Sequence, residues 1–275
     1  MSSCGIQSID ATSGRSAVIF GDDNRVKVDP DSGFAKKIVK ISTGCSGAMI
    51  SKNIVLTAAH CIDDKVIKTE TETGTTYSIA DDLYVFSGFE NHTYSYKAKV
   101  TRMAWGTLDY QTNIDQDWAL LLLDKDLGDT IGWFGVIKDL SPSSDYNESI
   151  STAGFPGDIE NGRRMTLEQK CGIHEHNGNL LYTGCDVIKG QSGSALLARN
   201  TDNKMVIVGI IVRGNSYTKE NVTPTEYNIG VNSRVFYNKV VEWRALYDWY
   251  FKTNIKTTHK GAIPMERLLF HFDFF

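Results

Sequence analysis

The chain has 275 residues, 41% hydrophobic and 23% charged, with a formal net charge of −4. This composition suits one large domain or two small ones with a sizeable core, and it lacks the basic surface that nucleic acid or anionic lipid would require. No run approaches the roughly 18 apolar residues of a membrane-crossing helix, so neither nucleic acid nor membrane is expected as a partner.

Residues 1–16 are small and polar and read as a leader or propeptide, without the apolar core of a secretory signal. From there to about residue 235 the chain is a succession of short runs rich in Val, Ile, Tyr, Thr and Leu, broken by Gly, Asp, Asn and Ser. Strands are expected near 37–41, 48–51, 83–86, 94–101, 119–123, 150–153, 180–182, 194–197, 205–212 and 230–235. Short strands at this spacing predict sandwiches or barrels, and no βαβ alternation points to a parallel sheet. Residues 57–61 read as one helical turn, and 124–146, with Gly128, Gly132, Gly135 and Pro142, as the connection between two halves. A helix is expected over 235–253, with Val235, Tyr237, Val240, Val241, Leu246, Trp249 and Tyr250 supplying its apolar face. The tail, 254–275, is broken by Gly261 and Pro264 and ends in an aromatic run expected to dock on the body of the protein.

Five cysteines are present. Cys45 and Cys61 bracket a segment that ends at His60, and Cys171 and Cys185 bracket a short hairpin-like stretch before Ser192. Two local disulfides with Cys4 left over is the simplest arithmetic, with five free thiols as the alternative. Closing a loop of about 15 residues contributes roughly 3 kcal/mol in the chain-entropy model, and pairing favours an oxidising compartment. No CxxC spacing suggests structural zinc. The pair His174 and His176 around Glu175 lacks further ligands and reads as a solvated hairpin. Asn91, Asn147 and Asn221 each open an N-x-[ST] sequon.

Three segments carry chemistry together: Leu56-Thr57-Ala58-Ala59-His60-Cys61, Asp117-Trp118-Ala119, and Gly190-Gln191-Ser192-Gly193-Ser194. Each alone has a bland reading, His60 as a core histidine, Asp117 as the end of a strand, the glycines as a turn. In the order His, Asp, Ser they form a coherent set. A serine hydroxyl is a weak nucleophile at neutral pH and needs an adjacent base. Histidine titrates near that pH, and a buried carboxylate fixes its tautomer and stabilises the imidazolium. The glycines let the backbone approach a scissile carbonyl, with the N–H groups of Gly190 and Ser192 as candidate oxyanion donors. The order is unlike that of α/β-hydrolases, in which serine comes first.

With these residues, and with Val18–Arg25, Cys45–Ile50, Gly154–Asp158 and the Cys185-Asp186 pair, the chain resembles the chymotrypsin-like serine proteases, and among them the V8-like glutamyl endopeptidase group. The resemblance implies an all-β fold of two antiparallel six-stranded β-barrels, 17–130 and 131–234, followed by the C-terminal helix, with the site in the cleft between them. It implies His60, Asp117 and Ser192 as the catalytic set of a serine endopeptidase, a Cys45–Cys61 bridge beside the base, and a propeptide. Gln191 stands where trypsin-like zymogens place an aspartate, so activation through that salt bridge is not expected. Asp186, Ile211, Val212, Arg213 and Gly214 fall at substrate-binding positions. Ile211 replaces the histidine of glutamate-specific relatives, Asp186 would suit a basic P1 side chain, and Arg213 would sit at the cleft rim. The expectation is a secreted monomer acting on a protein or peptide substrate, with no cofactor and no metal. A non-catalytic binding protein on the same fold, and a restricted toxin-like or processing protease, are the competing readings.

Overall fold

The structure is a computed structural model, and it describes residues 19–71, 74–138, 149–214 and 227–256. The expected leader, most of the aromatic tail, and the sequons at Asn147 and Asn221 lie outside the described residues. Contacts divide the chain into two compact units, Met1–Tyr237 and Asn238–Phe275.

In the first unit β1 (Val26–Lys27) leads into β2 (Ile38–Ile41), β3 (Ser46–Met49) and β4 (Ile54–Thr57). Then come β5 (Val66–Thr71) and β6 (Gly74–Ile79), β7 (Tyr84–Ser87), β8 (Tyr96–Trp105) and β9 (Ala119–Leu123). Six of these close an antiparallel barrel in the order β2-β3-β4-β9-β8-β7. β4 and β9 are buried at every position and apolar throughout except for Thr57 at the end of β4. Ile38, Ile41, Met49, Ile54, Leu56 and Leu120 are fully enclosed, each stabilising the fold by roughly 1.5–3 kcal/mol through burial. β5 and β6 form a separate hairpin, almost wholly exposed.

The expected connection holds a short helix, α1 (Leu127–Ile131), and β10 (Gly135–Val136). β11 (Ile150–Gly154), β12 (Thr166–Cys171), β13 (Ile173–Asn177), β14 (Leu180–Thr183), β15 (Ala195–Arg199), β16 (Met205–Arg213) and β17 (Asn228–Asn232) follow. The second sheet departs from the expected closed six-stranded barrel. It runs β1-β12-β11-β15-β16-β17-β14-β13, with β10 pairing parallel to β16. Its ends stay apart because β12 gives its outer edge to β1 rather than to β13, so the sheet curls into a half-barrel. Ile150, Ile173, Leu181, Leu196, Val208 and Ile211 pack inside it.

Both expected disulfides are present, Cys45–Cys61 and Cys171–Cys185. The C-terminal helix, α2 (Ser233–Lys256), begins where Asn232 Oδ1 accepts the Arg234 N–H (3.1 Å), a side-chain cap for an otherwise unpaired donor. After Ser233, its buried positions among the described side chains are Phe236, Val240, Trp243 and Tyr247, at steps of four, three and four. Val241, expected on the apolar face, is instead exposed.

Candidate active site

The register of β4 and β9 brings His60 and Asp117 together. Thr57 pairs with Ala119 in antiparallel sense, so the chain leaving β4 and the chain entering β9 share one end of the barrel. Beyond Thr57 the backbone makes a single 3-10 turn, Ala59–Cys61, pinned by the Cys45–Cys61 bridge. Before Ala119 it makes another, Ile114–Gln116. The Asp117 carboxylate, in a residue 2% exposed, grips His60 at two points. Oδ1 accepts the His60 backbone N–H (2.9 Å), and Oδ2 lies 2.7 Å from Nδ1. An ionised carboxylate only accepts, so Nδ1 carries the proton and Nε2 keeps its lone pair in the neutral imidazole. The Tyr110 ring lies 5.5 Å from the imidazole, and its hydroxyl donates to Asp63 (2.7 Å).

Ser192 comes from the half-barrel, in the loop between Cys185 and β15. Gly193 has a φ of +80°, and a Cβ there would lie 2.2 Å from Thr57 Oγ1, 2.3 Å from Ser46 O and 3.1 Å from Ala58 N. Only a glycine lets this loop close onto the end of β4, two to three residues from His60. The loop is bound on both sides. Ser192 O accepts the Ser46 N–H (2.9 Å), Gly193 N donates to Ile211 O (2.8 Å), and Ile211 N donates to Ser194 O (2.9 Å). Gln191 is buried, and its Oε1 accepts the Ile188 N–H (2.8 Å), so a neutral amide braces the loop from within.

Gly190 also has a positive φ, +101°, and a Cβ there would strike Phe155 O at 2.4 Å. The peptide groups that carry the Gly190 and Ser192 N–H groups are fixed through their carbonyls. Lys189 O accepts the Gly157 N–H (2.7 Å), and Gln191 O accepts the Ser194 N–H (2.9 Å). Among the described residues neither the Gly190 nor the Ser192 N–H donates to any group.

The five expected substrate-binding residues divide. Asp186 is 1% exposed, and its two oxygens accept the N–H groups of Phe20 (2.7 Å) and Asn24 (3.2 Å). Its carboxylate therefore ties down residues 20–24 instead of facing a basic side chain. Ile211 is fully buried among Ile150, Cys185, Val187 and Leu196, inside the half-barrel rather than on a pocket wall. Val212 is buried, while Arg213 and Gly214 are half-buried at the end of β16.

Below Asp186 lies an acid that the sequence did not single out. Glu168 is 4% exposed, and its Oε2 accepts the Asp186 N–H (2.6 Å). Burial, reinforced by the negative charge of Asp186, pushes its carboxyl up to about 8. Nearby, Arg25 is enclosed between Asp158 (2.6 Å) and Asp23 (2.8 Å). A cavity of about 430 Å³ opens beside Glu168, lined also by Phe20, Lys170 and His174, and it touches none of His60, Asp117 and Ser192. His174 stacks on Tyr227 at 4.5 Å. Two groups of possible metal ligands occur among the described residues, Cys45 with His60 and Cys61, and Glu168 with Cys171 and Cys185. In both, the sulfurs are bonded to each other and offer no thiolate.

Comparison with known proteins agrees with this architecture. A glutamyl endopeptidase of Bacillus licheniformis is 29% identical over 188 residues, covering 66% of this chain and 55% of its own length. The chain thus spans little more than half of that relative. An extracellular metalloprotease of Bacillus subtilis is 25% identical over 239 residues, covering 82% of this chain and 69% of its own. The solved structure of a Glu endopeptidase in complex with MPD superposes with a TM-score of 0.63 at 24% identity, over 83% of this chain and all of that one. The family profile described as Trypsin matches residues 26–241, most of the chain. The chain therefore belongs to the trypsin family of chymotrypsin-like serine proteases.

Proposed function

We propose that the protein is a serine endopeptidase that cleaves protein or peptide substrates through an acyl-enzyme on Ser192. The observation that carries this reading is the two-point grip of Asp117 on His60, at 2.9 and 2.7 Å. A carboxylate so placed orients the imidazole with Nε2 free to take the Ser192 proton. Ser192 Oγ attacks the scissile carbonyl, and the N–H groups of Gly190 and Ser192 stabilise the oxyanion. His60 then returns its proton to the leaving amine, and water repeats the sequence to release the acyl group. The end of β16, with Val212, Arg213 and Gly214, is the natural edge for a substrate strand to lie against.

Specificity in this reading falls on an uncharged P1 side chain. With the Asp186 carboxylate given to Phe20 and Asn24, and with Ile211 inside the core, neither a basic nor an acidic P1 side chain finds a charge at those positions. An apolar or small P1 side chain therefore fits these positions better than a charged one. Two disulfides suit an extracellular, oxidising location, and no nucleic acid, membrane or cofactor enters the scheme. The test is hydrolysis of a diverse peptide library by the protein and by Ser192→Ala. Cleavage by the first and none by a folded Ser192→Ala is the expected result. Equal cleavage by both would remove Ser192 from the mechanism.

A further inference from the structure

Ser46 was legible only as part of a family-like segment, yet it is hydrogen-bonded at two points to the loop that carries Ser192. It opens β3, directly after the disulfide-bonded Cys45, and is completely buried. Its backbone N–H donates to Ser192 O (2.9 Å), and its carbonyl accepts the Thr57 hydroxyl (2.8 Å). Its own hydroxyl is used twice. Oγ donates to Gly190 O (2.8 Å) and accepts the Phe155 N–H (2.9 Å).

Of the three successive peptide groups from Lys189 to Ser192, Ser46 holds the middle one directly. A peptide unit turns as a rigid plane, so holding its carbonyl also aims its N–H. The Lys189–Gly190 peptide is held by Gly157 N, the Gly190–Gln191 peptide by Ser46 Oγ, and the Gln191–Ser192 peptide by Ser194 N. The first and third present the candidate oxyanion donors. The middle one is held by a side chain, and that same hydroxyl fixes Phe155, two residues before Gly157. Removing it frees one anchor and loosens the turn that supplies another. Gly190, with its φ of +101°, has the backbone freedom that would let the adjoining peptide turn over. A turned peptide offers an oxygen where the reaction needs an N–H.

We propose that Ser46 is a positioning residue that holds the oxyanion-binding peptides of Gly190 and Ser192 in their donating orientation. The proposal rests on the serine-peptidase reading given above. The Ser194 hydroxyl does not share the role, being buried without a hydrogen-bond partner among the described residues; Ser194 acts only through its backbone N–H.

The test compares the full chain with Ser46→Ala, using the best library peptide and its aldehyde, which forms a tetrahedral adduct on an active serine. Turnover is normalised to the folded fraction measured by near-ultraviolet circular dichroism, so a variant that folds only in part still gives a reading. The expected result is a fall in kcat of roughly 10- to 100-fold at unchanged KM, less than the roughly 100- to 1000-fold of losing an oxyanion donor outright because the donors stay in place, with aldehyde affinity falling by the same factor. A merely structural role would lower the Tm and the folded fraction but leave kcat per folded molecule intact. That outcome, or a kcat and aldehyde affinity within twofold of the parent, would overturn the proposal. If the parent itself does not cleave, the peptidase reading fails first, and the two failures are thereby distinguished.

Discussion

Glu168→Gln reports on the buried acid pair without touching the candidate catalytic residues. An ordinary glutamate in the unfolded chain ionises near 4.5, whereas in the fold Glu168 holds its proton up to about 8. Below 4.5 both states carry the proton, and the contribution of the group to stability is fully present. As pH rises through that interval the unfolded chain ionises alone, so stability is progressively lost, and above about 8 the loss is complete. The limiting slope is about 1.36 kcal/mol per pH unit for one proton. From about pH 5 to about pH 8 this amounts to at most about 4 kcal/mol, and to roughly half of that once the surroundings polarise around the new charge. Glutamine keeps the oxygen that accepts the Asp186 N–H and removes the titration. Urea unfolding followed by tryptophan fluorescence, in a Ser192→Ala background to prevent self-cleavage, should show the parent losing stability across this range. The Glu168→Gln variant should lose about 2–4 kcal/mol less. Asp186, whose carboxyl burial also pushes up, contributes the same residual slope to both. Parallel pH profiles would refute the argument.

Two further outcomes are expected. Lys40 Nζ lies over the rings of Phe155 (5.2 Å) and Phe89 (5.6 Å), and burial lowers it to about 8. The unfolded chain holds that proton up to 10.5, so the lysine costs stability below about 8, and the cost disappears as pH rises to 10.5. Lys40→Met should therefore raise the Tm at neutral pH, by an amount that shrinks toward pH 10.5, and a pH-independent change would contradict the reasoning. Asp117→Asn would set an amide N–H against His60 Nδ1 and impose the wrong tautomer. Its kcat at neutral pH should fall by about four orders of magnitude, and a loss under tenfold in single-turnover assays would refute the role.

What the sequence revealed and what it hid follow from the range of the interactions involved. The β-rich runs, the order His60, Asp117, Ser192 and the two disulfides were legible because each has a local signature: alternating or continuous apolar runs, a glycine-flanked serine, cysteines 16 and 14 residues apart. The hairpin of β5 and β6 was missed because its residues are exposed on both faces and carry no burial pattern. β12 was missed because it buries Glu168 where a strand pattern calls for an apolar residue. The partner of Asp186 was hidden because it is a backbone N–H 166 residues away, and no residue type marks such a donor. The role of Ser46 was hidden for the same reason, since its hydroxyl meets backbone groups 109 and 144 residues distant. Sequence pattern marks the candidate reacting groups, and the folded chain supplies the contacts that hold them in place.

The account stands on Ser192 being an activated nucleophile beside a formed oxyanion site. Treating the full chain with a fluorophosphonate probe, and locating the adduct by mass spectrometry, tests this directly because such reagents need both features and little P1 specificity. The account predicts a single adduct on Ser192, absent from Ser192→Ala and strongly slowed in His60→Ala. A folded protein that takes no label at Ser192 would contradict it and would favour a binding protein on a protease fold.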